Sequence, residues 1–204
     1  VSWSSIDTVK AKKHLLDARQ KSREDGNTSY QFATVRTLAR MAYNTRDKKT
    51  GDSYYEECTG LSNQMNTAYS QAQILSLKAY RFECETELDS ALAYYRKAMV
   101  INDSVDKSGA VANLNSIANI YISMGEFSQA DDVLSRAIRL ARDISDSLAL
   151  GSTLQFSSFL YSRTADFRKG LSNNDSAIAI FNKSGHMIRL ANTYASRGTL
   201  LSSM

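Results

Sequence analysis

At 204 residues, with 43% hydrophobic and 23% charged content, the chain is long enough to bury a core and too apolar to remain unfolded. It has no proline and only nine glycines, which excludes a turn-rich sandwich and points to long helices joined by short turns. The net charge of +4 is uneven: residues 1–50 carry eleven Lys/Arg against five Asp/Glu, leaving +6, and residues 51–204 carry fourteen against sixteen, leaving −2.

In chain order, hydrophobic spacing predicts ten helices, over 5–24, 30–46, 51–64, 68–84, 89–103, 108–124, 128–143, 147–164, 168–183 and 186–197. The first, with Ile6, Val9, Leu15, Leu16 and Ala18, reads as the second helix of a preceding half-repeat or as a cap. From about residue 30 the helices pair. Leu114, Ile117, Ala118 and Tyr121 recur at three- and four-residue spacing and give the helix over 108–124 one apolar stripe. Gly125 supplies a left-handed helix end, and Ser128, like Asp89 one repeat earlier, is expected to cap the helix that follows. Ala130, Leu134, Ala137 and Ile138 then form the inner face of the next helix. Small Ala118 and Ala130 allow close approach of the two axes, while Tyr121 and Phe127 fill the wedge beside the turn.

The pattern repeats. Residues 117–141 align with 77–101 and 156–181, and more weakly with 35–60, so that small residues stand at 51, 91, 130 and 170, at intervals of 40, 39 and 40. The segments "LDSALAYYRKAMVI" and "MGEFSQADDVLSRAIRLA" carry the repeat most strongly and resemble the tetratricopeptide repeat family in a longer form of roughly forty residues. The outer copies depart from the family pattern: glycine stands at 51 and 170, Asn173 and Asn174 occupy places usually apolar, and the 46–50 turn is wholly polar. The resemblance implies an all-α, right-handed superhelix of about ten antiparallel helices. Residues 1–204 are then a single repeat domain, with a half-repeat at 1–29, repeats at about 30–67, 68–106, 107–146 and 147–185, and an incomplete repeat at 186–204. The last helix is expected to expose an unmet apolar face, a route to homo-association.

Chemistry-bearing residues are sparse. His14 and His186 stand far apart in sequence without cysteines or acids at ligand spacing, so no metal site and no cofactor is expected. Cys58 and Cys84 are read as free thiols, Cys58 buried, because their places in antiparallel helices put them roughly 10 Å apart. Phosphate-loop, metalloprotease and nucleophile-elbow motifs do not occur. The chain is therefore read as non-enzymatic. The short basic runs Lys12–Lys13 and Lys48–Lys49 read as solvated helix faces, leaving nucleic acid as a distant third partner class.

The family resemblance also implies a binding face. Inward positions on the first helix of each repeat carry over to Arg36, Arg40 and Tyr43; Ser76 and Tyr80; Asn115, Asn119 and Ser123; Gln155, Phe159 and Arg163; and Asn192. Arginines suit carboxylates or phosphates, amides suit a peptide backbone, and aromatics anchor apolar groups. Ser76 and Tyr80 do not match the clamp that some relatives use for chaperone C-termini, which argues against a co-chaperone role. The resemblance extends to sensory or regulatory arrays of bacterial signalling proteins, to peptide-pheromone receptors and to kinesin light chains. The leading expectation is a protein- or peptide-binding region of a bacterial regulator; the alternative is a scaffold bridging proteins in an assembly.

No stretch reaches the eighteen or so apolar residues of a membrane span, and the opening "VSWSSIDTVKAKK" lacks a signal-peptide core. A start at Val1 and an end within a patterned segment lead us to expect an excised piece of a larger protein. We expect no membrane contact by this piece, and an extracytoplasmic sensor region or, alternatively, a cytoplasmic one.

Overall fold

The computed structural model describes the backbone of residues 3–204 and the side chains from Val9 onward; the side chain of Ile6, expected on the first apolar stripe, lies outside that range. The described residues form an all-α solenoid: α1 (Trp3–Glu24), α2 (Thr28–Asn44), α3 (Lys48–Met65), α4 (Ala68–Cys84), α5 (Leu88–Val105), α6 (Lys107–Met124), α7 (Phe127–Asp143), α8 (Ser147–Arg163), α9 (Phe167–Ser184) and α10 (Met187–Ser202). All ten expected helices are present, and the largest displacement is at the end of α10, which continues to Ser202 rather than stopping near 197.

Eight of the nine joints between the described helices follow one rule; the exception is the α5–α6 joint, where Asp106 has φ −153°. Gly26, Arg46, Asn66, Thr86, Gly125, Ser145, Ala165 and Gly185 all have φ between +46° and +80°, the left-handed conformation that closes a helix. The residue after each commonly does two jobs. The Asp47 amide donates back to the Ala42 carbonyl at 2.9 Å, closing α2, while its carboxylate accepts the Thr50 amide at 3.1 Å and opens α3. Asp146 and Asp166 do the same between later helices. Gly125 ends α6 as expected. The cap of α7, however, is Glu126 rather than Ser128, and it makes no side-chain cap bond. Asp89 lies inside the first turn of α5 rather than at its cap, because the Ala91 amide already donates to the Glu87 carbonyl.

The chain divides into two compact units, Val1–Ala98 and Met99–Met204, with the boundary inside α5. In the first, α2 packs on α1, α3 and α4, and α3 also meets α4. Its core joins Phe32, Val35, Ala39 and Tyr43 of α2 to Cys58 and Leu61 of α3 and Leu77 of α4, with Tyr54 and Tyr55 packed against it. In the second unit α6, α8 and α10 touch one another in sequence, and α7 and α9 pack between them in a second layer. Tyr121 and Phe127 close over Ala118, Ile122, Ala130, Leu134 and Leu160, and farther along Leu154, Ala177, Phe181 and Leu190 form a second cluster.

The small residues sit where helices touch. Gly51, Ala91, Ala130 and Gly170 are all buried. A Cβ at Gly51 would lie 2.5 Å from the Tyr43 ring, so the absence of a side chain is what admits the aromatic. A second series, Ala39, Ala79, Ala118 and Ser158, is also fully buried. Gly198, its next member, is exposed. With it on one side of α10 stand Ile188, Tyr194 and Leu201, exposed by 80%, 56% and 49%, which is the unmet apolar face expected of the last helix.

Candidate functional site

The even-numbered helices carry the positions named from sequence, α2 and α4 in the first unit and α6, α8 and α10 in the second. In the first unit, Arg36 of α2 donates to Gln73 of α4, and the Arg40 guanidinium lies 4.4 Å from the Tyr80 ring centre. Tyr80 donates to the side-chain Oδ1 of Asn44, and burial pushes its phenol up to about 12, so it stays a neutral donor at ordinary pH. The Ser76 hydroxyl bonds back to the Ala72 carbonyl of its own helix at 3.0 Å. Tyr43 departs from expectation. It is only 4% exposed, packs over Gly51 and donates to Asp52 at 2.9 Å, so it is a core residue before it is a contact for a ligand.

A hollow of about 310 Å³ lies at the helix ends of this unit, bounded by Tyr43, Arg46, Lys48, Cys84, Glu85 and Thr86. Within it Lys48 lies 2.8 Å from Glu85, and burial raises the Cys84 thiol above its usual range. Cys58 is fully buried and its thiol is pushed up to about 12 by the same cause. Neither cysteine has the lowered pKa of a reactive nucleophile.

In the second unit, Asn119 is half-buried, Ser123 donates to the Asn119 carbonyl at 2.9 Å, and Phe159 is 44% exposed. Gln155 reaches across from α8 to α10, donating to the Thr193 hydroxyl at 2.5 Å. Arg163 and Asn192 are exposed. Asn115 is 5% exposed and its Oδ1 has no hydrogen-bond partner. It opens on a hollow of about 250 Å³ between α6, α8 and α10, lined also by Ser108, Val111, Asp146, Ser152 and Arg189. Sequence reasoning named Asn115 but missed Asp146, Ser152 and Arg189. The available signal was the spacing of helix caps, which places an acid at the mouth of the face.

His14 and His186 are exposed. Among the described residues, no group of three or more His, Cys, Asp or Glu stands close enough to hold a metal ion. Also among the described residues, no helix is long and apolar enough to cross a membrane.

Residues 111–144, which cover most of α6, the turn at Gly125 and α7, match the family model described as a tetratricopeptide repeat. That segment carries a tetratricopeptide repeat. Solved structures of similar repeat architecture extend that fold beyond the matched segment. BtubC (BKLC) from P. vanneervenii superposes with a TM-score of 0.63 at 17% identity, covering 98% of this chain and 87% of that one. A signal transduction ATPase with numerous domains, carrying a tetratricopeptide repeat sensor, from Pyrococcus horikoshii gives a TM-score of 0.65 at 14% identity over 85% of this chain. A Rap protein complexed with competence and sporulation factor gives 0.63 at 14% identity over 96% of this chain. The chain spans only 27% of the ATPase and 59% of the Rap protein. No curated protein shows significant similarity to the sequence. The fold is that of a protein-interaction module, typically non-catalytic.

Proposed function

We propose that this repeat array is a non-enzymatic recognition domain that binds a protein segment or peptide on the even-numbered helices within its units, as the sensing or partner-recruiting region of a larger regulatory protein. One observation carries the reading: in the second unit, exposed Phe159, Arg163 and Asn192 stand on these helices with half-buried Asn119 and Gln155, instead of a uniform charged surface. An extended peptide has the matching groups, with backbone N–H and C=O for the amides and side chains for the aromatic. The sensor-bearing ATPase and the Rap protein in complex with a competence and sporulation factor lend support by analogy of fold.

The test is thermal-shift screening of the whole chain against a peptide pool, followed by titration of any hit against variants with Arg36, Arg40 and Asn119 replaced by Ala and, separately, with Phe159→Ala. Binding that weakens in either variant supports the face. Equal binding by all variants places the ligand elsewhere. A scaffold role has its own support in the exposed apolar side of α10, and the same screen against protein partners, with Ile188→Ser, separates it from peptide recognition.

A further inference from the structure

The hollow of the second unit carries a more specific inference, which rests on the peptide-binding reading above. Three features meet there. The Asp146 carboxylate has no ion-pair partner among the described residues; it is held by the Ala149 amide at 2.9 Å and the Ser108 hydroxyl at 2.6 Å. Burial would raise its pKa, but the amide bonds and the Ser108 bond overcome that and hold it below the usual carboxylate range. Arg189, exposed at the other side, donates to Ser152 and likewise has no ion-pair partner among the described residues. Between α6 and these two groups the Oδ1 of Asn115, on a side chain 95% buried by its 5% exposure, accepts nothing. A buried amide oxygen without a donor is unfavourable, and a donor reaching it from the hollow would satisfy it.

We propose that this hollow binds a short peptide segment carrying an ammonium and a carboxylate: the ammonium meets Asp146, a backbone N–H fills the vacancy at Asn115 Oδ1, and the carboxylate pairs with Arg189. The spacing is apt. Asp146 precedes α8, and Ser152, which holds Arg189, stands one to two helical turns along it, about 5–10 Å. A di- or tripeptide extends by about 3.3–3.6 Å per residue and bridges that distance. Val111 and Leu148 line the hollow as an apolar floor for small side chains. An isolated cation would be repelled by Arg189 and an isolated anion by Asp146. The pair of charges therefore selects for a ligand that has both.

The experiment is an NMR amide-shift titration of the whole chain with trialanine, N-acetyl-trialanine and trialanine amide, plus the end-capped peptide acetyl-Ala-Lys-Ala-Glu-Ala-amide. Shifts at Asn115, Ala149 and Ser152, with affinity falling about tenfold when either end of trialanine is blocked, support the proposal. If the capped peptide binds better than trialanine, the charges come from side chains of a longer segment rather than from free termini. Arg189→Gln, on an exposed side chain, should erase the difference between trialanine and its amide while keeping that between trialanine and its acetyl form. Equal binding of free and blocked forms, or no shifts at tens of millimolar in any arm, overturns the proposal. If longer peptides bind the protein but ignore Arg189→Gln and Asn115→Leu, the hollow is wrong and the broader face stands; if no peptide of any length binds, both fall.

Discussion

The two units solve the same packing problem with different materials. In the first, the contact between α2, α3 and α4 is aromatic and aliphatic, with Phe32, Val35, Tyr43, Leu61 and Leu77 closing around Cys58. Its rim is tied by charge: Arg19 reaches Glu57 with two bonds, at 3.1 and 2.5 Å, and Gln31 and Arg23 converge on the same carboxylate. Toward the end of the second unit, polar groups take over. Thr153, Ser158, Asn174 and Thr193 are fully buried between α8, α9 and α10, and the Ser158 hydroxyl and the Asn174 carbonyl oxygen lack partners. Where the repeat puts alanine at 39, 79 and 118, this layer has serine at 158. The repeat geometry therefore tolerates a wet-type chemistry at a contact as long as the residue is small. What changes is the energy of the joint rather than its shape.

Substitutions that break or sharpen this contrast differ widely in size. Phe32→Ala should lower unfolding free energy by about 3–5 kcal/mol, because a large ring, 2% exposed, leaves a cavity in the apolar joint; urea denaturation measures it. Glu57→Gln should cost about 1.5–3 kcal/mol at low salt, since the part-buried carboxylate serves three donors, and the loss should shrink as salt rises. In the polar layer the sign reverses. Ser158→Ala removes a buried, unpartnered hydroxyl and should raise stability by about 1 kcal/mol, seen as slower hydrogen exchange in α8 and α9. Thr86→Gly relieves a β-branched residue at φ 62° and should add about 0.5–1 kcal/mol, read as an upward shift of the urea midpoint.

The smallest effects come from pH. The hydrogen bond from Lys48, reinforced by Arg81 and opposed by burial, lowers the Glu85 pKa below 4.5. That contribution to the first unit is present above pH 4.5 and is lost as pH falls through the lower folded value. Tyr43 behaves oppositely. Burial first, then its bond to Asp52, raises its pKa above 10, so its contribution holds below pH 10 and declines as the medium becomes more alkaline. Residue-resolved hydrogen exchange at the two pH extremes should show these losses in the first unit.

The helices and their pairing were legible because burial imposes a period on apolar and small residues, and every one of Gly51, Ala91, Ala130 and Gly170 is where that period puts it. The caps were less legible. Seeking serine or aspartate just inside each helix misplaced them, whereas Asn27, Asp47, Thr67, Asp106, Asp146 and Asp166 announce a twenty-residue rhythm of capping side chains. The burial of Tyr43 was not legible, because only the space over Gly51 admits its ring to the core. Arg189 and Asp146 escaped notice because they meet through folding: α8 and α10 bring together residues more than forty positions apart.

The double duty of the joint residues makes the array modular in a strict sense. Because the amide of Asp47 finishes one rod while its carboxylate begins the next, the rods joined in this way have no slack there to absorb a change of length. Removing a single residue inside α6 would swing everything beyond it by about 100° and turn Ala118 away from its neighbour. Length can therefore change harmlessly only in steps of a whole rod and its joint.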